Sequence, residues 1–411
     1  MTSSPTSEAP LSPHWRSHAV VLALGTFAVA TDMFVIAGLL PAVADSLQVS
    51  VAAAGQLVTV FSFSYALLAP VLATVTTTWS RRSVLITALA VFSTGNVLTA
   101  LAPTYELVLA SRIIAAAGTA LYTATAPVTA ASLAGPARRG RAIALVILGS
   151  TSALALGAPL GTAIGGVWGW RATMWFVTAL ALVVVPVLTV KLPDGGAGAD
   201  GSLRQRLTPL KNRRVLAVLA CTATAFVGLY APYTYLSAVF EPIVSDDGNR
   251  LALLLLVYGV AGTVGNLTAG FLADRWGPRR VVTTATLALA CVFVLLPAMR
   301  GSFLAAVPAV ATAAVFSFAV NTPQQHRIIA LVPHAQSVAA SLHQSVMYLA
   351  TSLAGIVGGI ELELAGAAAL PPLAAVLLVI AAGLSWATRS QPPTASPTGE
   401  EPHQARATAR R

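Results

Sequence analysis

The chain has 411 residues, of which 56% are hydrophobic and only 9% are charged, and its mean hydropathy is +0.78. Soluble domains carry about 25% charge, and a soluble chain of this length splits into domains of roughly 100–200 residues with charged surfaces on each. A water-soluble architecture is therefore excluded, and lipid is the solvent for most of this sequence.

The first residues, to about Pro13, are rich in Ser, Thr and Pro. They lack the basic, apolar and cleavage-site pattern of a secretory signal, so the first apolar run is expected to stay as a membrane anchor. A bilayer core of ~30 Å takes about 20 apolar residues per helix, and twelve such runs follow. The first six are Ala19–Leu40, Ala53–Val75, Ser83–Leu101, Leu107–Leu133, Ala142–Ala163 and Ala172–Val190. The second six are Val215–Phe240, Leu251–Ala273, Val281–Ala298, Ser302–Val320, Gln336–Ile360 and Ala367–Trp386. A Gly/Asp-rich stretch from Asp194 passes into a basic segment with Arg204, Arg206, Lys211, Arg213 and Arg214, a natural linker between two halves. The expected organisation is a tail over 1–18, a six-helix bundle over 19–190, a linker over 191–214, a second six-helix bundle over 215–388, and a Pro/Thr/Ala/Glu-rich tail over 389–411 of disordered composition. Cys221 and Cys291 lie far apart in apolar runs and read as packing residues.

Lys and Arg concentrate in cytoplasmic loops of membrane proteins. With the N-terminus inside, twenty of the 24 Lys and Arg fall on the cytoplasmic side, among them Arg327, and only Arg171, Arg250 and Arg300 fall outside. Arg112 is the one left inside a run. This asymmetry predicts a multi-pass cell-membrane protein with both termini cytoplasmic, as in a bacterial inner membrane. It also accounts for the pI of 10.3 without nucleic acid as a partner.

The segment Ala73-Thr-Val-Thr-Thr77-Thr-Trp79-Ser-Arg81-Arg82 matches Gly270-Phe-Leu-Ala-Asp274-Arg275-Trp276-Gly277-Pro-Arg279-Arg280 half a chain later, an internal repeat of the parallel kind known in transporters. The second copy resembles the signature loop of the major facilitator superfamily. That resemblance implies that Gly270 permits close helix approach, that Asp274 caps a helix terminus, and that Arg81, Arg82, Arg275, Arg279 and Arg280, with Gly277, form a cytoplasmic gate. Leu109-Ala-Ser-Arg112 with Gly118 resembles the fourth-helix motif of proton-coupled members. Gly157-Ala-Pro159-Leu-Gly161-x3-Gly165-Gly166 resembles the fifth-helix motif of antiporters. Asp32 through Gly38-Leu-Leu-Pro41, Gly169-Trp-Arg171 and Thr234-Tyr235-Leu236-Ser237 resemble the drug:proton antiporters similar to chloramphenicol-resistance and sugar-efflux proteins. The sequence departs from the family pattern at Thr77, where Asp is usual, and at Ala158, between the Gly and Pro of the fifth-helix motif. The implied fold is all-α, with twelve helices in two pseudo-symmetric six-helix bundles.

Asp32 is the only acid and Arg112 the only base placed in hydrocarbon by these runs, and a charge at that depth is paired, protonated or facing water. Asp32 then serves as a proton-coupling site, as half of a structural ion pair, or as the partner of a cationic substrate group. His343, where family members often carry Asn, is a second titratable candidate or a neutral hydrogen-bonding residue. Tyr65, Asn96, Tyr122, Tyr230, Tyr233, Tyr258, Asn266 and Gln344 are candidates for a cavity wall, since apolar walls with few polar groups suit small amphiphilic ligands. The row Gly157, Gly161, Gly165 reads as close helix packing, and with Pro159 as a hinge. Neither lysine sits in a phosphate loop, which excludes ATP hydrolysis, and no paired-carboxylate, His-cluster or Ser/His/Asp arrangement points to an enzyme, a metal or a cofactor. The expected activity is alternating-access export of a small hydrophobic or amphiphilic compound in exchange for protons, the protein acting as a monomer; proton-coupled import on the same fold is the alternative. A phenicol-like antibiotic, a sugar-like compound and a secondary metabolite all remain open as substrates.

Overall fold

The structure, a computed structural model, describes residues 15–193, 208–245, 248–332 and 336–388. Most of the 191–214 linker and all of the 389–411 tail lie outside the described residues. Twelve helices are long and apolar enough to cross a bilayer: α1 Trp15–Leu47, α2 Val51–Val75, α3 Arg81–Leu101, α4 Tyr105–Ala134, α5 Pro136–Trp168, α6 Trp170–Lys191, α7 Arg213–Thr234, α8 Asn249–Trp276, α9 Pro278–Met299, α10 Phe303–Leu331, α11 Val338–Leu364 and α12 Leu370–Ala387. They run alternately up and down, so both described chain ends lie on one face, the terminal face; the other is the distal face.

Local chemistry sets the helix ends. Ser50 and Ser80 accept from the backbone N–H groups of Ala53 and Ser83, which begins α2 and α3, and Asn212 does the same for α7 through Arg214. Gly169 and Gly277 turn the chain between α5 and α6 and between α8 and α9 with φ of 84° and 85°, a conformation a side chain strains. Within α5 the helix widens into a π-helical turn over Ala153–Gly157, immediately before Pro159. A proline lacks the N–H for the ladder and its ring crowds the carbonyl four residues back, so the widened turn takes up the mismatch.

Several expected runs end elsewhere: α1 continues to Leu47, past the expected Leu40, and two others break within the expected or extended span. The seventh was expected to reach Phe240 but stops at Thr234, followed by short helices Leu236–Val239 and Glu241–Val244, because Tyr235 turns its buried ring inward. The tenth was expected to end at Val320 but resumes as Asn321–Leu331 after a break at Ala319–Val320. The polar stretch from Asn321 to Arg327 reads as a loop by hydropathy; as a helix it buries Gln324 and Arg327. Arg327 is thus a second buried base inside a candidate span, not a loop residue as its sequence position implied.

Small residues let the helices approach. A Cβ at Gly95 would meet the Ala115 backbone at 2.7 Å, and one at Gly118 the Phe92 Cα at 2.7 Å, so α3 and α4 pack almost backbone to backbone. The row Gly157, Gly161, Gly165 of α5 lies against Thr31, Val35 and Leu39 of α1, residue for residue at the four-residue helical repeat. Between the halves, α2 meets α11 where Gly355 faces Thr59, and α5 meets α8 where Gly259 lies on the backbone of Leu154 and Ala155 in the π-helical turn. Large apolar side chains such as Trp168, Leu267, Phe271 and Leu304 are exposed around the outside. In water this would be an aggregating surface; here it is the surface that lipid covers.

Candidate functional site

Four consecutive residues of α1 face four different partners. Thr31 lies against Gly157 of α5. Asp32 receives both terminal guanidinium nitrogens of Arg112, Nη1 to Oδ1 and Nη2 to Oδ2 at 3.0 Å each. The Sδ of Met33 accepts from the Tyr348 hydroxyl at 3.3 Å, and the Phe34 carbonyl accepts from the Tyr233 hydroxyl at 3.1 Å, both tyrosines belonging to the second half. The turn that carries the carboxylate is therefore the turn where the halves touch.

The pair is sealed. Asp32 is 0% and Arg112 1% exposed, and Asp32 lies close to the midpoint of α1. The helix is longer than the run that suggested it, so the carboxylate sits deeper than the sequence estimate. Arg112 Cζ stands 4.6 Å from the centre of the Phe61 ring, a cation–π contact from α2, while its Nε has no hydrogen-bond partner among the described residues. The forked geometry matches a carboxylate with two parallel bonds. Removing one partner of such a pair costs about 3–5 kcal/mol because an uncompensated charge stays buried.

Of the expected cavity residues, Tyr65, Tyr233 and Gln344 lie at the contact between the halves, and Tyr230 and Tyr258 pack beside Tyr233 within the second half. Tyr65 stacks on Tyr348 with ring centres 3.5 Å apart, and Gln344 lies beside both hydroxyls. Tyr233 packs on Tyr258 at 4.7 Å and edge-on to Tyr230 at 6.2 Å. Three expected residues do not join them. Asn96 is buried in α3 and bonds the Phe92 carbonyl of its own helix; Tyr122 donates to the Leu22 carbonyl inside the first half; Asn266 accepts from Thr322 between α8 and α10. Each is held within one half, and Asn96 Oδ1 has no hydrogen-bond partner among the described residues. His343 is 1% exposed; its Nε2 lies 3.2 Å from Asn321 Oδ1, and its Nδ1 has no hydrogen-bond partner among the described residues. With the amide oxygen accepting, the proton sits on Nε2.

The family model described as Major Facilitator Superfamily matches residues 22–355 and 242–410. The chain belongs to this superfamily. The MFS-type transporter YbcL of Bacillus subtilis (strain 168) is 32% identical over 372 residues, 90% of this chain and 95% of the relative. A chloramphenicol efflux pump of Mycobacterium tuberculosis (strain H37Rv) is 31% identical over 298 residues, 72% of each chain. Among solved structures, a D-xylose–proton symporter superimposes with a TM-score of 0.76 at 18% identity, covering 91% of this chain and 97% of that one. This major facilitator protein is thus a multi-pass membrane transporter with the twelve-helix, two-bundle fold.

In this transporter the halves are joined at the centre and on the distal side. Tyr235, fully buried between α2 and α11, donates to the Gly355 carbonyl at 2.7 Å and reaches the Ala52 carbonyl at 3.4 Å. Its ring fills space left by Gly55, Gly358 and Gly359. Gln56 Nε2 donates to the Gly355 carbonyl, and Ser50 Oγ to Glu363 Oε1, both at 3.3 Å. The expected gate residues on the terminal face are not engaged in the same way. Asp274 has no hydrogen bond or ion pair among the described residues, and Arg82 donates to the Thr189 carbonyl within its own half. Gly270 was expected to permit close helix approach, yet no described residue lies within 4 Å of a Cβ built there. Among the described residues no helix packs on that face of α8, so the close approach is absent in this conformation.

Sequence reasoning missed Tyr348, whose only signal was its place on α11, and the Arg327 cluster. Arg327 Nη1 donates to Gln324 Oε1 at 2.8 Å and to Ser385 Oγ at 3.1 Å, and Nη2 donates to Thr388. Cys221, expected as a packing residue, joins this polar cluster: its Sγ donates to the Ala381 carbonyl at 3.3 Å and accepts from Gln324 at 3.2 Å. Cys291 is exposed.

Proposed function

We propose that this transporter exports a small, uncharged or weakly amphiphilic organic compound across the cell membrane in exchange for protons, with the terminal face cytoplasmic. The observation that carries the reading is the buried Asp32–Arg112 pair, one residue from the Met33–Tyr348 contact between the halves. A proton arriving at Asp32 unpairs Arg112, and the shortest route to relief is a rearrangement at that contact. Substrate bound between the halves and a proton on Asp32 then favour opposite conformations, which is the requirement for exchange. The relative named as a chloramphenicol efflux pump supports export of an uncharged aromatic compound, and the distribution of Lys and Arg supports the orientation. In this scheme Arg81, Arg82, Asp274, Arg275, Arg279 and Arg280 close the cytoplasmic side in the opposite state, and Gly157 and Pro159 around the π-helical turn serve as the flexing point of α5.

The test is accumulation of radiolabelled chloramphenicol and related uncharged antibiotics in a drug-hypersensitive bacterium expressing the protein. Lower steady-state accumulation, reversed by a protonophore, is the expected result. Higher accumulation than in the control strain would mean import and overturn the direction.

A further inference from the structure

Tyr65 of α2 and Tyr348 of α11 belong to opposite halves and meet face to face, with ring centres 3.5 Å apart and planes 18° from parallel. Both are buried. Aromatic rings prefer offset or edge-on arrangements to a square stack, so this contact owes its geometry to the helices that carry it. It also marks a boundary. On the distal side of the stack α2 buries Ala54, Leu57 and Phe61, whereas from Ala66 to Val75 it buries no residue on any face. The close packing of the α2–α11 seam, held distally by Tyr235, therefore ends at these two rings. Half-exposed at this edge are Thr123 of α4 and Gln344 of α11, the latter one helical turn before Tyr348. Thr123 Oγ1 lies 2.7 Å from the Tyr65 hydroxyl, Gln344 lies beside both tyrosine hydroxyls, and Met33 Sδ accepts from Tyr348 at 3.3 Å. All three of these neighbours are neutral.

We propose that Tyr65 and Tyr348 are the two jaws of an aromatic clamp between the halves, and that the transported molecule is uncharged and carries a flat ring that enters between them from the terminal side. A ring inserted at van der Waals contact, about 3.5 Å from each face, requires the halves to move apart there by one ring thickness. Each tyrosine then keeps a stacking partner. Gln344 and Thr123, on opposite halves at the edge of the slot, supply neutral hydrogen-bond donors and acceptors to the polar substituents of the ring. Neither offers a counter-charge, and Asp32 and Arg112 are consumed by each other, so an ion would be buried unpaired and is rejected. Because the jaws lie on different halves, the slot opens and closes with the movement of one half against the other. The inserted ring also draws Tyr348 away from Met33, the neighbour of Asp32, which joins occupancy of the slot to the turn that carries the carboxylate. This assignment rests on the reading of the chain as a transporter that binds a small organic compound between its halves, but not on the direction of transport.

The experiment is equilibrium binding to the purified full-length protein in nanodiscs, with the signal of empty nanodiscs subtracted. The probes are chloramphenicol, an uncharged nitroaromatic, and the analogue that carries the same substituents on a saturated cyclohexane ring. Wild-type protein is expected to bind chloramphenicol saturably and about 10-fold more tightly than the saturated analogue, the scale of stacking on two ring faces. Tyr65→Leu and Tyr348→Leu keep an apolar side chain but remove one ring face each. Either is expected to raise the chloramphenicol Kd about 5-fold while changing that of the saturated analogue less than about 2-fold. A purely structural role would weaken both compounds alike. Tyr65→Phe and Tyr348→Phe, which keep the rings, are expected to preserve the ratio, so the wild type and these two variants carry the test if a leucine variant does not fold. Equal binding of the two compounds by the wild type, no saturable binding of chloramphenicol, or an unchanged ratio in the leucine variants would overturn the clamp and leave the fold and the transport reading in place. The wild-type ratio intact, with no protonophore-sensitive movement of chloramphenicol in cells, would overturn the transport reading alone.

Discussion

At the scale of single residues, the Asp32–Arg112 pair sets the energetics. A bidentate pair with both partners sealed from solvent leaves a bare charge when either is removed, and about 3–5 kcal/mol is the usual cost. Arg112→Gln is therefore expected to lower the thermal midpoint of the detergent-purified protein by several degrees. The double variant Asp32→Asn/Arg112→Gln, with no bare charge, is expected to recover most of that stability, the non-additivity that residues in direct contact show. A double variant no more stable than Arg112→Gln alone would contradict the pairing. The two charged residues were legible in the sequence because ions in apolar runs are rare. Their geometry was not, since depth estimated from run ends depends on boundaries, and α1 extends well past the run that announced it.

At the scale of elements, closure of the distal side rests on α2 and α11, with Tyr235 wedged between them. Ser50 Oγ and Glu363 Oε1 are 3.3 Å apart at that seam, so Ser50→Cys/Glu363→Cys in a background lacking Cys221 and Cys291 is expected to be bridged by a short bis-methanethiosulfonate cross-linker and to arrest transport until the bridge is reduced. Full transport by the cross-linked protein would show that the seam stays shut throughout the cycle. Adding Gly55→Val, whose side chain has no room beside the Tyr235 ring, is expected to cut the cross-linking yield. The twelve spans were legible because apolar length is a strong signal, and the glycine row of α5 because its spacing repeats every helical turn. The ends of α7 and α10 were not. A buried aromatic that turns the chain inward at Tyr235, and a polar helical segment held by Arg327, Gln324 and Ser385, depend on partners far away in sequence. The same limit explains why Asn96 and Tyr122 looked like cavity residues: a polar side chain in an apolar run is the same signal whether it faces a cavity or bonds its neighbouring backbone.

At the scale of the whole molecule, two six-helix bundles meet along α2–α11 and α5–α8, and the carboxylate lies on the α1 turn that touches both. The chain's sequence placed it in the major facilitator superfamily through its loop and helix motifs, while the state of the halves, joined on the distal side, is visible only in three dimensions. The central claim is that Asp32 couples proton and substrate. It is tested most directly by proton release from acidified everted membrane vesicles on addition of an uncharged aromatic substrate, comparing wild type with Asp32→Asn. The expected result is substrate-dependent alkalinisation of the vesicle lumen in the wild type and none in the variant, with both proteins present in the membrane at equal amounts. Undiminished proton movement in Asp32→Asn would contradict the claim and move the coupling site to His343.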